Sequence, residues 1–343
     1  MSYNPDYDPT GLEGGVDTNT LPWIAVRQVE GLSFKPLRAS KETGLFSVLL
    51  RIEKGTTLPE AVGLGGLDLL VLSGKLVYTQ DSKTSILRPG SWGFMPANKP
   101  IAPLVAEEAT ELLCTCYGPV SFMDGESPIY LLTNQEILSG AKEHNVGTIP
   151  STLSECISTE ENRSDVARFE GTGTPLAIAN RDASALVVAS SDQLADNSEI
   201  NHSCFIDTRS VPWVSPPGLE DLSLKMLRVS EETGVASMIV RHNGIAAPHT
   251  HIGGGDFLLL HGRIGYRAGP PEGYGPGVWI YEPAGARHDA TQRVTDEDLI
   301  YTANIYGPVA FDSGRGTDIT NLISWVEYKA LADHAGYQLV PSS

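Results

Sequence analysis

Short apolar or alternating runs, rich in β-branched residues, dominate the pattern of hydrophobic and polar positions along the chain. The clearest are residues 46–52, 67–77, 237–241 and 256–266. Turn signals built on Gly or Pro separate them, among them Lys54-Gly55, Arg88-Pro89-Gly90, 273–277 and Pro283-Ala284-Gly285. Many short strands with regular turn signals are typical of a sandwich or a small barrel, so the pattern predicts an all-β fold.

The same pattern occurs twice. The residues of 17–23 return at 207–213, and those of 37–44 return at 227–234. Further matches follow in the same order, and the offset drifts only between 187 and 190 residues. Self-similarity at a fixed period is the sign of a repeated architecture, so the chain is predicted to be an internal duplication of one barrel.

A helical pattern follows each copy. Residues 319–335 space Ile323, Val326 and Leu331 for one helix face, with Asp318 available as the cap. Residues 132–142 are the weaker counterpart in the first copy. We therefore expect one helix after each barrel.

Three segments follow from these repeats. The N-terminal barrel is predicted over residues 16–142, a connecting segment over 143–206, and the C-terminal barrel with its helix over 207–343. The connection is longer than is usual unless it has structure of its own or is flexible, and both interpretations stay open. Leu186 to Ala189 are suitable for one extra strand.

The chain is strongly acidic, and this limits the kinds of partner that it is expected to bind. Lys and Arg total 24 against 42 Asp and Glu, giving a formal net charge of −18. Such a surface repels phosphate backbones and anionic lipid, so neither nucleic acid nor a membrane is expected as a partner. Apolar residues make up 41%, as in a folded globular chain. A small molecule and further copies of the chain remain as partners.

The cysteines and the first residues favour a cytoplasmic protein. The four cysteines, Cys114, Cys116, Cys156 and Cys204, show no metal-ligand spacing and are too few for a disulfide framework. The opening 15 residues resemble neither a signal peptide nor a transit helix, and no apolar run approaches the roughly 20 residues that span a bilayer.

Three of the eight histidines form one pattern. His249 and His251 alternate on a strand, so both rings leave the same face. His288 follows the turn at 283–285, and in a barrel its strand can be the neighbour of the first. Three neutral imidazoles at one point suit Zn, Fe, Cu or Ni. The sequence therefore predicts one divalent metal per chain, held by His249, His251 and His288.

Other candidate sites are less convincing. His261 is expected to be a partly buried structural residue, and His144, His202, His242 and His334 are expected at the surface. The glycines at 253–255 and 171–173 do not open a helix and so do not form a phosphate loop. In the first copy, Ala61, Gly63 and Ile101 occupy the positions of the three ligands. The first barrel is therefore predicted to lack the metal.

Together the HxH element, the glycine that follows it at Gly262 and the PxGxxH element at 283–288 resemble the two-part cupin signature. Most cupins carry a Glu ligand seven residues before the closing glycine, where this chain has Gly255. The sequence from about 233 to 312 instead resembles the acetylacetone-cleaving (β-diketone) dioxygenases, whose iron is held by three histidines without a carboxylate. A more distant similarity is to ChrR-like cupins.

This resemblance implies further site residues. Glu282, six residues before the last ligand, matches the family's outer-shell glutamate, and Arg267 and Thr291 match polar residues near its metal. The bulky residue expected before the HxH is a small one here, Ala246, and the family protein is a single barrel. Asp256 is the rival ligand, since a bulge at 253–255 would turn it inward.

The resemblance implies an Fe(II)-dependent dioxygenase that cleaves a C–C bond in a β-diketone or related enolisable carbonyl compound, with O2 as co-substrate. Zn(II), Mn(II) and Ni(II) remain possible metals. One alternative is a ChrR-like metal-binding sensor or interaction module without catalysis, like the cupin halves of some anti-sigma factors. The other is a cupin hydrolase, lyase or isomerase that does not use O2.

Overall fold

A computed structural model describes residues 14–149, 151–152, 173–180, 197–266, 271–314 and 316–342. Within these ranges β-strands predominate, and the all-β class with two copies of one architecture is confirmed. Neither of the two described α-helices is long and apolar enough to cross a membrane. Cys114, Cys116 and Cys204 are free thiols, while Cys156 lies outside the described residues.

The described chain divides into two units. The N-terminal unit takes the described residues of Thr18–Ile149, Phe169–Ser210 and Val340–Ser343. The C-terminal unit takes those of Met1–Asp17, Pro150–Arg168 and Val211–Leu339. The first described strand, β1 (Gly14–Asp17), therefore belongs to the C-terminal unit although it lies at the start of the first repeat.

Three antiparallel sheets build the N-terminal unit. Their strands are β2 (Ile24–Ala25), β3 (Leu32–Ala39), β4 (Phe46–Ile52), β5 (Thr57–Leu58), β6 (Ala61–Gly63), β7 (Leu67–Ser73), β8 (Leu76–Gln80), β9 (Lys83–Leu87), β10 (Ser91–Met95), β11 (Pro100–Ile101), β12 (Leu104–Ala106), β13 (Thr110–Cys116), β14 (Val120–Asp124), β15 (Ser127–Leu132) and β16 (Phe205–Asp207). The sheet orders are β16-β10-β7-β13-β4-β3-β2, β11-β6-β14-β15 and β5-β12-β8-β9. Helix α1 (Asn134–Glu143) follows.

A large apolar cluster lies in this unit, and β7 and β13 are buried along their whole length. All seven residues of β7 are buried, as are all seven of β13. A strand with both faces covered is largely apolar, and residues 69–72 of β7 show this pattern in the sequence. The predicted strand at 67–77 is two strands, because Gly74 adopts a φ of 85° and turns the chain between β7 and β8.

Three sheets also build the C-terminal unit. Besides β1, its strands are β17 (Leu222–Val229), β18 (Ala236–His242), β19 (Ile245–Ala246), β20 (His249–His251), β21 (Gly255–His261), β22 (Ile264–Tyr266), β23 (Val278–Glu282), β24 (Ala286–His288), β25 (Thr291–Arg293), β26 (Ile300–Ile305), β27 (Val309–Asp312) and β28 (Ile319–Ile323). The sheet orders are β1-β23-β21-β26-β18-β17, β19-β25-β22 and β24-β20-β27-β28.

The predicted helix at 319–335 is wrong in its first part. Ile319–Ile323 is the edge strand β28, and helix α2 spans Trp325–Ala335. Ser324 caps it in place of Asp318, because its side chain accepts from the backbone of Val326 while Glu327 accepts from the Ser324 backbone N–H. This capping box satisfies orphan backbone donors of the first turn. The weaker helical pattern in the first copy is confirmed as α1.

The connecting segment is described only in part. Ala177–Asn180 forms a short 3-10 helix, and Phe205 begins β16. β16 pairs antiparallel with β10, so the end of the connection completes the largest sheet of the N-terminal unit. The extra strand predicted at Leu186 to Ala189 lies outside the described residues.

Candidate metal centre

The three predicted ligands lie on two paired strands of the C-terminal unit. β20 carries His249 and His251, and β24 carries His288 at its end. The pairing is antiparallel and places His249 directly opposite His288. Side chains at alternate positions of a strand share a face, so all three rings leave the same side of this sheet. The structure confirms that the two elements are neighbours.

The three imidazole rings lie close to one another. The ring centroids of His249 and His288 are 4.1 Å apart, and His251 lies 5.0 Å from the first and 5.9 Å from the second. His249 Nδ1 is 2.8 Å from the Ala247 carbonyl oxygen, and His288 Nδ1 is 2.7 Å from that of Asp289. A carbonyl only accepts, so these Nδ1 atoms carry the proton and Nε2 keeps the lone pair that binds a metal.

Glu282 brings a carboxylate to the same point. It is the last residue of β23, its side chain is 1% exposed, and its two oxygens face two ligand rings. Oε2 lies 2.7 Å from His251 Nε2, and Oε1 lies 3.2 Å from His288 Nε2. One donor atom from each of Glu282 and the three histidines falls within 4.8 Å of all the others. The four residues could therefore hold one ion.

The chemistry of this donor set fits a divalent metal. His251 Nε2 and Glu282 Oε2 are close but are not aligned as a hydrogen bond, so both buried atoms stay unsatisfied. A buried polar atom without a partner costs free energy, and a cation between them would remove that cost. Imidazole nitrogen and carboxylate oxygen are donors that Fe, Zn, Mn and Ni accept.

Charge at the site is set by burial and by the neighbouring side chains. Burial, and then repulsion by His288 and His251, holds the pKa of His249 well below its ordinary value, so its ring is neutral. Burial raises the pKa of Glu282, but His288 and His251 outweigh it and hold that pKa well below its usual range. Glu282 is therefore anionic. Neutral imidazole and ionised carboxylate are the forms that bind metals.

An apolar cavity of about 90 Å³ adjoins the cluster. Ala246, Phe257 and Phe311 are among the residues that line it, together with the three histidines and Glu282. Thr291 lies on β25 directly opposite both Ala246 and Tyr266, and its side chain also lines the cavity. The structure therefore gives the position of Thr291 in the wall of the cavity. Its role near the metal stays a prediction.

The remaining predicted residues have different outcomes. Arg267 lies outside the described residues. Asp256 is not part of the cluster, because its carboxylate accepts from the Tyr306 hydroxyl and, at 3.4 Å, from the Asn304 amide. Neighbouring residues on a strand alternate between faces, and Phe257, not Asp256, lines the cavity. The proposal of Asp256 as a rival ligand is wrong.

Gly255, where most cupins carry a glutamate, leaves room for a ligand ring. A Cβ added there would lie 3.0 Å from His251 Nδ1, which is tighter than ordinary van der Waals contact. Gly255 is paired with Glu282 in the antiparallel ladder between β21 and β23. The carboxylate of this site therefore comes from the neighbouring strand, at the position directly across the ladder.

In the N-terminal unit the equivalent place is filled with apolar core. Ile101 pairs with Ala61 in the register that His288 and His249 have in the other unit. Met95 is the last residue of β10, as Glu282 is of β23. Ala61, Met95 and Ile101 are all buried in the apolar cluster of their unit. None of the three side chains offers an imidazole or a carboxylate, and the absence of a metal from the first copy stays a prediction.

Two of the histidines expected at the surface are not there. His144 and His334 are exposed, but His202 packs on Tyr78 and Phe205, and His242 is fully buried. The burial of His242 was predictable from the sequence, because His242 continues the alternation of Met238 and Val240 along β18. Both of those residues line the cavity. His261 is partly buried with Nδ1 2.7 Å from the Asp298 carbonyl oxygen, as expected of a structural residue.

The fold recurs in solved structures. A proposed dioxygenase from Nostoc punctiforme is similar over 93% of this chain and 88% of its own, with a TM-score of 0.53 and 13% identity. The acetylacetone dioxygenase from Acinetobacter johnsonii matches 36% of this chain and 86% of its own, at a TM-score of 0.32 and 23% identity. A tryptophan-to-phenylalanine variant of oxalate decarboxylase from Bacillus subtilis matches 88% and 79%, at 0.46 and 14%. At 13% identity the first similarity establishes the fold alone, and the other two, with TM-scores below 0.5, carry no argument.

Sequence comparison identifies the family. No curated protein sequence matches this chain. A family model described as the ChrR cupin-like domain matches it twice, over residues 13–121 and 201–309, which is one match for each copy of the duplication. The two matches together span more than half of the chain. The protein therefore belongs to the ChrR cupin-like domain family, as a member with two cupin domains.

Proposed function

We propose that this protein is a metal-dependent dioxygenase, using Fe(II), that cleaves a C–C bond in a β-diketone or a related enolisable carbonyl compound. The observation that carries the proposal is the position of the donor cluster in the wall of a cavity. Structural metal sites are closed by their ligands, whereas catalytic sites keep open positions toward a substrate. A cavity beside four donors supports a catalytic site.

Charge supports a substrate that binds as a monoanion. Three neutral imidazoles and one carboxylate leave a divalent ion with one positive charge. The enolate of a 1,3-dicarbonyl carries one negative charge, so the complex would be neutral. A neutral complex suits an apolar cavity, because an uncompensated charge is costly there.

The bound ion and the residues around it would have different roles in the reaction. When bound, an Fe(II) ion would supply electrons to O2 and a Lewis acid for the oxygens of the enolate. The anionic Glu282 holds its oxygens toward Nε2 of His251 and His288, where it would hold the ion together with the three histidines. Apolar side chains exclude water around it. Arg267 and Thr291 keep the role that the family resemblance implies, as polar residues near the metal.

The test is O2 consumption by protein loaded with one equivalent of Fe(II). We expect uptake that depends on pentane-2,4-dione or a related diketone. Oxalate is the matched control, since it is a dianion without an enolisable C–H bond, and no uptake is expected with it. Absence of uptake with every diketone at full iron occupancy would exclude the proposed reaction.

One observation favours a second candidate, a metal-binding sensor or interaction module without catalysis. The cluster offers four donors, the number that closes a structural zinc site. Metal analysis of the purified native protein separates the two candidates. Tightly held zinc that resists exchange supports the module, and iron supports the oxygenase. Turnover of a carbonyl compound without O2 would instead assign the site to a hydrolase, lyase or isomerase.

A further inference from the structure

His242 is a buried histidine that the metal cluster does not use. It ends strand β18, has no exposed surface, and continues the inward alternation of Met238 and Val240. The backbone N–H of Ala246 points to His242 Nε2 at 3.1 Å. A backbone amide can only donate, so Nε2 must be the unprotonated nitrogen of the ring. This contact assigns the proton to Nδ1, and the ring also hydrogen-bonds to the backbone of Thr291 and Gly244.

The proton of His242 then lies on Nδ1. Burial lowers the pKa of His242 to about 4, so the ring is neutral and carries a single proton. Nδ1 lies 3.4 Å from the hydroxyl oxygen of Tyr301, which accepts a long hydrogen bond from it. Because this oxygen accepts, the phenolic proton of Tyr301 is not used in the contact. It is available to an acceptor elsewhere.

Tyr301 presents that proton at the cavity. It lies on β26 between Val240 and Leu259 in the neighbouring strands, and its partly buried side chain lines the cavity. The ring packs against Phe257 at 5.8 Å, and Phe257 packs against His251 at 5.7 Å. Burial raises the pKa of Tyr301, so the phenol keeps its proton. Tyr301 is therefore a donor in a mostly apolar space near the metal cluster.

We infer that the Tyr301 hydroxyl donates a hydrogen bond to a carbonyl or enolate oxygen of the substrate, and that His242 is the positioning residue that turns this hydroxyl toward the cavity. The inference rests on the proposed function, because it assigns a specificity contact to the same cavity. A fixed donor in an apolar pocket selects ligands that carry an acceptor.

Binding of a carbonyl probe tests the contact without turnover. The full chain is loaded with Zn(II), which does not reduce O2, and pentane-2,4-dione is titrated into it by calorimetry. Tyr301→Phe removes only the hydroxyl, so the fold is retained, and we expect Kd to rise about five- to tenfold, as for loss of one hydrogen bond. Tyr130→Phe is the matched control, because it removes the same hydroxyl group from a tyrosine of the N-terminal unit that does not line the cavity. Its Kd should change less than twofold.

A second series tests the positioning role of His242. Its Gln variant keeps one donor and one acceptor at the ring position, whereas His242→Met removes both. We expect the Met variant to lose probe affinity as Tyr301→Phe does, and the Gln variant to recover most of it. In the Tyr301→Phe background the Met substitution should add no further loss, because both changes remove the same contact. A general structural defect would instead add to the first loss.

The outcomes separate this inference from the proposed reaction. Probe binding that Tyr301→Phe weakens supports the inference even if the iron-loaded protein consumes no O2. Equal losses in Tyr301→Phe and Tyr130→Phe, unchanged affinity in Tyr301→Phe, or no binding of the diketone to the Zn(II)-loaded wild-type protein would each overturn it. O2 uptake with an unchanged KM in Tyr301→Phe would leave the reaction standing and remove the contact.

Discussion

At the scale of single residues, backbone carbonyls orient two of the three imidazoles. The Ala247 and Asp289 carbonyl oxygens hold the Nδ1 protons of His249 and His288, which leaves Nε2 free for an ion. Such contacts fix the tautomer and the direction of a ligand ring before the metal arrives. The site is therefore preorganised for a metal by main-chain atoms.

Loss of one imidazole should remove the metal from the whole chain. His288→Ala deletes a donor from the C-terminal unit, and the equivalent positions of the N-terminal unit hold Ala61, Gly63 and Ile101. We expect the metal content per chain, measured by elemental analysis, to fall from one to near zero. His261→Ala is the control and should keep its metal. Stoichiometric metal in the His288 variant would reveal a second site.

Exchange of Glu282 for Gln should show whether its carboxylate binds the ion directly. Its oxygens lie 2.7 and 3.2 Å from two ligand nitrogens, a spacing that donors of one ion can adopt. We therefore expect Glu282→Gln to change the visible absorption spectrum of the Co(II)-loaded protein and to weaken metal affinity at least tenfold. An unchanged spectrum with lowered activity would place Glu282 outside the ligand set, in the role that the family resemblance implies.

Acid should destabilise the metal-free protein through His242. The pKa of this residue is lowered to about 4 in the folded state, against about 6.5 for an ordinary histidine. Between these values the unfolded chain binds the extra proton, so the free energy of unfolding decreases as the pH falls from about 6.5 toward 4. From pH 7 to pH 5 we expect a loss of about 2 kcal/mol from this group.

Denaturant unfolding of the metal-free wild-type and His242→Gln proteins measures this effect. The variant lacks the titrating ring, so its stability should fall less over the same pH range by about the amount assigned to His242. Parallel pH profiles for the two proteins would contradict the assignment. Because His202 and His249 also have lowered pKa values, the difference between the proteins, rather than either profile, is the quantity to compare.

At the scale of elements, strands were more predictable than helix boundaries. The run at 46–52 is β4, residue for residue, because apolar residues on both faces and a flanking glycine turn agree on one answer. The helix predicted from residue 319 begins at Trp325, because Ile319–Ile323 pairs with β27 as an edge strand. Pairing with a neighbouring strand is a long-range effect that helical spacing cannot show. The Ser324 and Glu327 capping box was the local signal for the true start.

Removal of that cap should cost measurable stability. Ser324→Ala deletes the side chain that accepts from the Val326 backbone N–H, and a helix N-cap substitution of this kind costs about 1 kcal/mol. Thermal unfolding followed by circular dichroism should show a lower Tm. Ser127→Ala, at an exposed strand position, is the control and should leave Tm unchanged. Equal Tm values for the two variants would show that the cap contributes little to α2.

At the scale of the whole molecule, each unit contains the strand at the start of the other repeat. β1 pairs with β23 in the C-terminal unit, and β16 pairs with β10 in the N-terminal unit. The two pairings are equivalent under the duplication, with Asp17 opposite Val278 and Asp207 opposite Ser91. Matching repeats along the sequence shows that there are two copies, but it does not show which sheet a given strand joins. A division of the sequence into two contiguous barrels therefore could not predict that β1 and β16 belong to the opposite units.

Hydrogen exchange can test the exchanged strands. Val16 is buried opposite Trp279, so Val16→Asp should loosen β1 and raise amide exchange in β23, which is more than 250 residues away in the sequence. Phe205→Ala is the reciprocal variant and should raise exchange in β10 instead. If Val16→Asp instead raised exchange in the strands of the N-terminal unit and left β23 protected, the assignment of β1 would be wrong.

The membership of β1 also has a consequence for synthesis on the ribosome. Chain growth produces β1 well before its hydrogen-bonding partner β23, which ends at Glu282 of the donor cluster. Until β23 has been synthesised, β1 lacks its partner strand. An unpaired strand edge can pair with other chains, which favours aggregation. Metal uptake by the four donors therefore requires synthesis to have passed His288, and a nascent chain interrupted before that point would carry an incomplete donor set.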